Sequence, residues 1–265
     1  MGPTGGPGAR GVSVIVPAYN EAAILEGTVT DLVRALSELK RPFEVIVADD
    51  CSKDDTLAVA RSLAKADPRV RVATHTPNRG KGAAIRMGFA ASTMPIVGYV
   101  DADIRPDAET LRAYLAPLDQ GRHIALANKW HSESRVDYTF ARKFASYGYA
   151  LFAKVLFWIP VVDTQCGFKF FDRRVLEKAM PHLTVDRFGF DVELLAWCVH
   201  YGARIEALPI RIREIRASKV NRLEVLKMLK DLLLARMHMW TGARGRERVT
   251  EVEVESPALE AAPRV

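Results

Sequence analysis

Two carboxylates separated by one residue, Asp101 and Asp103, are the side chains of this sequence best placed to do chemistry. They follow the apolar run Ile96 to Val100, which has the length and composition of a buried strand. The carboxyl edge of an open α/β sheet is where ligands bind. Carboxylate oxygens hold Mg²⁺ or Mn²⁺ when substrate phosphates and water fill the other coordination positions. The pair therefore predicts a metal-diphosphate site, and the alternative role is to cap a helix that begins near Pro106.

The elements that must position this pair alternate along the front half of the chain. Short β-branched runs are followed by helical periods, which predicts a βαβα opening with parallel strands and right-handed crossovers. The predicted strands are Val12 to Val16, Phe43 to Ala48, Val70 to Thr74 and Ile96 to Val100. The predicted helices are Ala22 to Leu39, Asp54 to Ala66 and Lys81 to Ala91. The fold class is α/β, with a mostly parallel central sheet flanked by helices.

Length and composition indicate one large domain, because 265 residues with 49% hydrophobic and 26% charged residues can bury a sizeable core. Residues 1–11 are rich in Gly and Pro and predict a flexible arm, whereas residues 241–265 lack an apolar stripe and predict a disordered tail. The domain is therefore expected over residues 12–240. Three widely spaced cysteines indicate neither a disulfide framework nor a zinc site and fit a reducing cytoplasm.

Polar residues also follow the first two predicted strands, and we interpret them as candidate nucleotide contacts. They are Pro17, Tyr19, Glu21 and Asp50. Tyr19 offers an aromatic face for stacking, and Asp50 can accept hydrogen bonds from a base or a ribose. We interpret Asp54 and Asp55 as helix caps instead, because each precedes a helical run.

The segment Asn78 to Gly82 combines two glycines with two cations just before a predicted helix. Backbone N–H groups at a helix start favour anions, and glycine lets the chain approach a ligand closely. The sequence has no Gly-x-Gly-x-x-Gly after the first strand and no Gly-Lys-Ser/Thr phosphate loop. The motifs therefore argue against a dinucleotide fingerprint and against a P-loop.

Taken together, these motifs resemble family 2 glycosyltransferases of the GT-A fold, the nucleotide-diphospho-sugar transferase fold. Further matches to the dolichyl-phosphate β-glucosyltransferase branch are Asp163 to Lys169, Phe190 to Leu195, Glu214, and Ser218 with Lys219. The resemblance spans about Val12 to Trp240. It implies transfer of a hexose, with inversion at the anomeric carbon, from a nucleotide diphosphate sugar to a polyprenyl phosphate. UDP-glucose is the preferred donor and GDP-mannose the alternative.

The resemblance also assigns roles to individual residues. The donor nucleotide would be bound by Pro17, Tyr19, Glu21, Asp50, Lys81 and Asp101. The metal, Mg²⁺ or Mn²⁺, would be held by Asp101 and Asp103, where a divalent cation neutralises the charge of the departing diphosphate. Gln165 and Lys169 would contact the sugar or a phosphate.

An acceptor phosphate requires cations rather than a strong base, because it is already ionised at neutral pH. Lys129 and Arg135 are the residues we assign to it, with Arg142 and Lys143 in the same cluster. Many relatives have Arg at the position of Lys129. A lysine supplies the charge but lacks the bidentate fork of arginine.

Asp191 and Glu193 are acidic residues at the start of an apolar run, and their roles stay open at the level of sequence. In related enzymes that glycosylate hydroxyl groups, an acidic residue near Asp191 serves as the base. With a phosphate acceptor, orientation of the sugar is the favoured role for Asp191. Glu193 either also orients the sugar or pairs with a nearby cation.

Two segments, residues 139–160 and 220–240, are candidates for membrane contact. The first contains an apolar stripe, but Lys154 and Pro160 make it a poor spanning helix. The second alternates leucines with Lys and Arg, which is the pattern of a basic amphipathic helix on anionic lipid. Packing against the domain would produce the same stripes. We expect peripheral attachment to the cytoplasmic face of a membrane.

Other functions compete with this prediction. A family 2 enzyme with a hydroxyl acceptor would need Asp191 as its base. A nucleotide-sugar-binding protein without activity is disfavoured by the intact pair Asp101 and Asp103. The net charge of +6 suits anionic partners, but basic residues are interleaved with acidic ones and no base-reading motif occurs, so we expect no nucleic-acid partner.

Overall fold

The computed structural model describes residues 9–134, 148, 151–161, 163–187, 189–210, 222–241 and 253–255. The strands are β1 (Val12–Ala18), β2 (Phe43–Asp49), β3 (Val70–Thr74), β4 (Ile96–Val100), β5 (Ile124–Ala127), β6 (Phe168–Asp172), β7 (Ile205–Leu208) and β8 (Glu253–Glu255). The helices are α1 (Ala22–Ser37), α2 (Thr56–Ala66), α3 (Lys81–Ala91), α4 (Ala108–Asp119), α5 (151–157), α6 (Arg173–Ala179), α7 (Phe190–His200) and α8 (Arg222–Thr241).

The strands form one mixed sheet in the order β7-β5-β6-β4-β1-β2-β3-β8. The neighbours β4, β1, β2 and β3 all run parallel, which confirms the prediction for the front half of the chain. Strand β6 runs antiparallel between β4 and β5, and β7 is parallel to β5. As a result β6 starts beside the end of β4, since Phe168 pairs with Val100.

The central strands are mostly apolar and are buried on both sides because helices cover both faces of the sheet. In β1, Val14 and Val16 point to the layer that contains α1, α2 and α4, while Ile15 points to the layer that contains α3, α5, α6, α7 and α8. All three side chains are fully buried. Two apolar cores therefore fix the sheet, and the strand ends are held as a rigid edge.

Helix α4 begins at Ala108, and Asp107 caps it by accepting a 2.8 Å hydrogen bond from the Thr110 amide. The alternative that Asp101 and Asp103 cap this helix is therefore wrong. The reason is the short loop after β4, which carries the chain four residues beyond Asp103 before the helix starts.

Both predicted terminal segments contain some ordered residues. Arg10 lies in the predicted flexible arm, yet its guanidinium donates to the Asp172 carboxylate at 2.7 Å. Within the predicted disordered tail, Glu253–Glu255 pair antiparallel with β3. Residues 1–8 and the other residues beyond Thr241 lie outside the described part of the chain.

Within the part of the chain that the structure describes, no helix combines the length and the apolar character that crossing a membrane requires.

Candidate active site

The candidate site lies where β1, β2 and β4 end. The ends of β1 and β2 are in register, since Ala18 pairs with Asp49, and the Asp50 amide donates to the Ala18 carbonyl at 2.9 Å. Beside them, β4 delivers Asp101, whose amide donates to the Gly167 carbonyl at 2.8 Å. The sheet therefore brings together the strand-end residues that the sequence predicts to act together.

Gly167 is required by the close approach of the Asp101 carboxylate. A Cβ atom at position 167 would lie 1.9 Å from Asp101 Oδ2, a distance that non-bonded atoms cannot adopt. The backbone of the 163–169 segment thus packs directly against the carboxylate. Steric exclusion explains why this segment contains a glycine at that point.

Lys81, the first residue of α3, forms an ion pair with the same carboxylate. Its Nζ lies 2.8 Å from Asp101 Oδ1 and 3.1 Å from Oδ2. It also lies 3.7 Å from Asp191 Oδ2. Burial would lower the pKa of Lys81, but the charges of Asp101 and Asp191 outweigh it and raise the pKa, so the side chain is a permanent cation.

Asp191 is enclosed at the start of α7, with 2% of its side chain exposed. The Lys169 ammonium, which is fully buried, donates to Asp191 Oδ1 at 2.7 Å and to the Cys166 carbonyl at 2.6 Å. The Tyr99 hydroxyl also donates to Oδ1. Burial would raise the pKa of Asp191, but the two lysines, Lys169 and Lys81, overcome it and hold the pKa below its usual range. Asp191 is therefore a buried carboxylate and a weak base.

Asp103 differs from Asp191 because its side chain is exposed at the mouth of the site. Desolvation by the surrounding protein and then the Asp101 charge raise the pKa of Asp103, and the carboxylate of Glu21 adds to the effect. Negative charge thus accumulates at the exposed side of Asp101. Such a cluster fits a divalent cation, which would relieve the repulsion.

The described residues contain no group of three or more His, Cys, Asp or Glu side chains arranged to hold a metal ion. Asp101 and Asp103 supply two hard oxygen ligands, which are too few for Mg²⁺ or Mn²⁺ alone. They fit an ion whose other ligands are phosphate oxygens and water.

Asp50 organises the loop before α3. Its oxygens accept hydrogen bonds of 2.7–2.8 Å from the Asn78 side chain and from the amides of Arg79 and Gly80. His75 Nε2 lies 3.1 Å from Oδ1. Gly80 has φ 111°, in the region that favours glycine. The conformation of this loop therefore depends on Gly80 and on the hydrogen bonds to Asp50. Asp50 is buried by these contacts, and a nucleotide contact from it stays a prediction.

The other predicted nucleotide contacts, Pro17, Tyr19 and Glu21, lie half-buried at the same edge. Nearby, Asp54 accepts hydrogen bonds from the Thr56 amide at 3.0 Å and from the Ala22 amide at 3.3 Å. These bonds satisfy backbone donors at the starts of α2 and α1, which confirms its interpretation as a capping residue. Asp55 stands at the cap position of α2, but its side chain makes no capping hydrogen bond, so that prediction was wrong.

Asp163 fixes the backbone at the edge of the site beside the end of β5 and the start of β6. Its Oδ2 accepts from the Lys129 amide at 2.7 Å, and its Oδ1 accepts from the amides of Gln165 and Cys166, each at 3.1 Å. Lys129 Nζ lies 3.9 Å from Asp163 Oδ1. Gln165 Nε2 is buried with no hydrogen-bond partner among the described residues. An unpaired buried donor at this point suits a ligand oxygen.

Several predicted contacts lie outside the described residues. They are Arg135, Arg142, Lys143, Glu214, Ser218 and Lys219.

Glu193 faces away from Asp191, toward the loop before α7. It accepts hydrogen bonds from the Thr184 amide, the Thr184 hydroxyl and the Val185 amide at 2.7–3.0 Å. Its contacts are thus backbone and hydroxyl donors, and they anchor residues 184–185 to the helix. This arrangement gives Glu193 a structural role.

Sequence reasoning missed the contribution of Tyr99 and the organising role of Asp163. Tyr99 lies in β4, two residues before Asp101, which directly follows the strand. Side chains at this spacing share one face of a strand. A hydroxyl within an otherwise apolar run was therefore the signal that could have identified it. Asp163 does not follow a predicted strand, so no pattern in the sequence indicates its three hydrogen bonds to backbone amides.

Comparison with known proteins agrees with this geometry. The model of the family "Glycosyl transferase family 2" matches residues 13–180. The chain belongs to glycosyltransferase family 2. It is 36% identical over 248 residues to human dolichyl-phosphate beta-glucosyltransferase, covering 88% of this chain and 76% of the human protein. The enzyme of the same name from Saccharomyces cerevisiae is 28% identical over 247 residues, covering 85% and 74% of the two chains. The resemblance indicated by the sequence motifs is confirmed.

Solved structures share the fold of this family 2 glycosyltransferase. Glucosyl-3-phosphoglycerate synthase from Mycobacterium tuberculosis, solved with Mn²⁺, UDP and phosphoglyceric acid, aligns with a TM-score of 0.65 at 23% identity, covering 86% of this chain and 78% of that one. Mannosyl-3-phosphoglycerate synthase from Rubrobacter xylanophilus aligns with a TM-score of 0.66 at 19% identity, covering 88% and 75%. The predicted GT-A fold is therefore confirmed.

Proposed function

We propose that this enzyme transfers glucose from UDP-glucose to a polyprenyl phosphate. The relatives named dolichyl-phosphate beta-glucosyltransferase support both the sugar and the lipid phosphate acceptor. UDP is the favoured donor nucleotide because the structurally similar M. tuberculosis synthase was solved with UDP. GDP-mannose is the alternative donor.

The observation that carries the proposal is the environment of Asp191. A hydroxyl acceptor needs a base to remove its proton, and an effective base has a pKa near the working pH and access to the acceptor. Asp191 is 2% exposed, it is bonded to Lys169 and Tyr99, and its pKa is lowered. A phosphate acceptor does not need such a base, so this arrangement favours a phosphate over a hydroxyl.

The reaction then consists of one displacement at the anomeric carbon. A phosphate oxygen of the acceptor forms a bond to that carbon, and the bond from the carbon to the UDP oxygen breaks with its electron pair. No proton has to be transferred, because the attacking oxygen is already anionic and the departing oxygen leaves as part of the UDP anion. The task of the protein is to orient two anions that repel each other and to exclude water from the sugar.

The donor diphosphate is expected beside Asp101 and Asp103. A divalent cation bound there would neutralise charge that develops on the departing diphosphate. Mg²⁺ and Mn²⁺ both suit two carboxylates, and the neighbouring synthase was solved with Mn²⁺. Glu21, Tyr19 and Pro17 would frame the nucleotide at the adjacent strand end.

The acceptor phosphate is expected beside Lys129, whose backbone is fixed by Asp163. Gln165, whose backbone amide bonds the same Asp163 carboxylate, has a buried amide nitrogen without a partner among the described residues, and we propose it as a second donor to this phosphate. Arg135 is a second cation that we propose for this phosphate. Charge-assisted hydrogen bonds from these groups would hold the acceptor for attack.

We further propose that the enzyme docks on the cytoplasmic face of a membrane through α5 and α8. On α8, Leu232 and Ala235 pack into the core, whereas the opposite face exposes large apolar side chains. The exposed residues of the two segments are Leu151, Phe152, Val155, Trp158, Leu233, Leu234, Met237 and Trp240. The described part of the domain leaves this face uncovered, and exposed apolar side chains of this kind suit a lipid surface.

A donor panel tests the reaction. Purified full-length protein is incubated with a short-chain polyprenyl phosphate, UDP-glucose or GDP-mannose, and Mg²⁺ or Mn²⁺, with a chelator as the control. We expect glucosylated lipid from UDP-glucose only, and no product with the chelator. A mannosylated lipid from GDP-mannose would show that the donor is GDP-mannose instead. Turnover in the presence of the chelator would contradict the proposed need for a divalent cation.

A further inference from the structure

We propose that Lys81 occupies the cation position on Asp101 when no donor is bound, and that Asp191 receives Lys81 when a divalent cation takes its place. The inference rests on the proposed function in taking Asp101 as a metal ligand. It goes further by giving the site a built-in exchange between two cations.

The first observation is the bidentate contact of Lys81 with the carboxylate. The ammonium lies 2.8 Å and 3.1 Å from the two oxygens of Asp101. A divalent cation held by Asp101 would have to bind the same carboxylate oxygens. Two positive charges on one carboxylate repel each other strongly in a partly buried site. Cation binding at Asp101 therefore requires Lys81 to move.

The second observation is a carboxylate within reach of the displaced side chain. Asp191 Oδ2 lies 3.7 Å from Lys81 Nζ, and its partners Lys169 and Tyr99 both bind the other oxygen, Oδ1. A movement of about 1 Å brings Nζ into hydrogen-bonding distance of Oδ2. Lysine has a flexible stem, so this shift needs no change in α3.

The exchange keeps the charge of the site balanced in both states. Without metal, Lys81 screens Asp101 next to the exposed carboxylate of Asp103 and the half-buried carboxylate of Glu21. With metal, Asp191 retains its two ammonium partners, Lys81 and Lys169, while the metal screens Asp101 and Asp103. The expected consequence is weak binding of a free metal ion, because it must displace Lys81.

Titration of the full-length protein with Mn²⁺ alone, followed by electron paramagnetic resonance, tests this competition without donor or acceptor. We expect Lys81→Met to bind Mn²⁺ roughly 10-fold more tightly than the wild type, since the competing charge is removed. Arg105→Met is the matched control, because Arg105 lies two residues from Asp103 but pairs with Asp31 at 3.6 Å. Its affinity should be unchanged.

Unchanged or weaker Mn²⁺ binding by folded Lys81→Met protein would overturn the proposal. If that variant does not fold, Lys81→Gln replaces it. A crystal structure of the wild-type protein with Mn²⁺ and UDP provides a second measurement. We expect Lys81 Nζ on Asp191 Oδ2, and Nζ still bound to Asp101 beside the metal would contradict the exchange. Neither experiment depends on sugar transfer. A failure of the cation exchange can therefore be distinguished from a failure of the proposed reaction.

Discussion

Three carboxylates at the end of β4 and the start of α7 have different surroundings, and these surroundings separate their functions. Asp101 faces Lys81, Asp103 is exposed beside other acids, and Asp191 is buried between two ammonium groups. A buried carboxylate with a lowered pKa serves as a fixed charge, whereas an exposed one with a raised pKa readily accepts a cation. The residue type alone therefore does not determine the role.

Asp103→Asn tests the cation-binding role. We expect turnover to fall roughly 100-fold or more, because a divalent cation contributes several kcal/mol to charge stabilisation. Stability should change by less than about 0.5 kcal/mol, since the side chain is exposed. Initial rates over a series of metal concentrations measure the effect. Asp107→Asn keeps a capping side chain on α4 and should retain wild-type rates; equal rates for both variants would contradict the assignment.

Gly167→Ala tests the steric requirement beside Asp101. The new Cβ would lie 1.9 Å from Oδ2, so the carboxylate or the strand must shift. We expect a loss of activity of roughly 10-fold or more, because small misplacements in an active site are costly. Gly148→Ala is the matched control, since a Cβ there meets no atom within 4 Å. Comparable rates for the two variants would show that the close approach is unimportant.

The sequence correctly predicted where a residue lies when its position relative to a strand was enough to place it. Asp101 and Asp103 follow an apolar run, and that alone places them at the carboxyl edge. The pairing of Lys81 with Asp101 could not be predicted, because it depends on how far α3 sits from β4. The enclosure of Asp191 likewise depends on Lys169 from an antiparallel neighbour strand.

At the level of elements, α5 and α8 each have a buried face and an apolar exposed face. In α5, Ala153 and Phe157 pack into the core, while Val155 and the following Trp158 are 67% and 81% exposed. Exposed apolar side chains at helical spacing on two segments are unusual on a surface that contacts only water. They give the membrane proposal its structural basis.

Replacement of Leu233 and Trp240 by serine tests that proposal. Both side chains are exposed, so the fold should be retained, while each lost apolar group weakens partition into lipid by about 1.5–3 kcal/mol. The two losses together correspond to a fall in binding to anionic vesicles of roughly 100-fold or more for the double variant. Thr241→Ser on the same helix is the control. Vesicle sedimentation measures the partition, and undiminished binding of the double variant would exclude this face.

Asp172, at the junction of β6 and α6, gives a pH-dependent test of the fold. Burial would raise the pKa of this carboxyl, but hydrogen bonds from Arg174 and Arg10 dominate and hold it well below its usual range. A lowered pKa in the folded state stabilises the protein above the unfolded pKa of about 3.9, and this contribution is lost as the pH falls through the folded value.

We therefore expect Asp172→Asn to lower the free energy of unfolding by about 1–3 kcal/mol at neutral pH and by less in acid, below the unfolded pKa of about 3.9. Urea unfolding at a series of pH values measures the difference. Asp31→Asn, which removes a partly exposed partner of Arg34 and Arg105, should change stability by less than about 1 kcal/mol. A difference for Asp172→Asn that grows in acid would contradict the assigned direction.

Elements with strong periodicity were predicted closely. Strand β4 and helix α3 have the predicted limits, because an apolar run and a glycine-rich start define them. The predicted helix start at Asp54 was wrong by two residues. The helix begins at Thr56, and Asp54 lies before it and accepts a hydrogen bond from the Thr56 amide. The antiparallel direction of β6 had no signal in the sequence, because strand direction depends on contacts across the sheet.

In the molecule as a whole, the sheet separates the proposed donor-binding residues from the proposed acceptor-binding residues along one edge. Strands β1 and β2 carry the residues proposed for the nucleotide, β4 carries the acidic pair, and the chain before β6 carries Asp163 and Gln165. The antiparallel β6 makes this possible, since it returns the chain to the end of β4. The proposed membrane helices lie on one face of the same sheet, in the layer with α3 and α7.

The proposed lipid phosphate acceptor is tested by a direct comparison of two acceptors. The initial rate of glucose transfer from UDP-glucose is measured with a polyprenyl phosphate and with the polyprenyl alcohol of the same chain length. Because Asp191 is a weak, enclosed base, we expect product from the phosphate and none from the alcohol. Product from the alcohol at a comparable rate, or from a water-soluble hydroxyl acceptor alone, would contradict it.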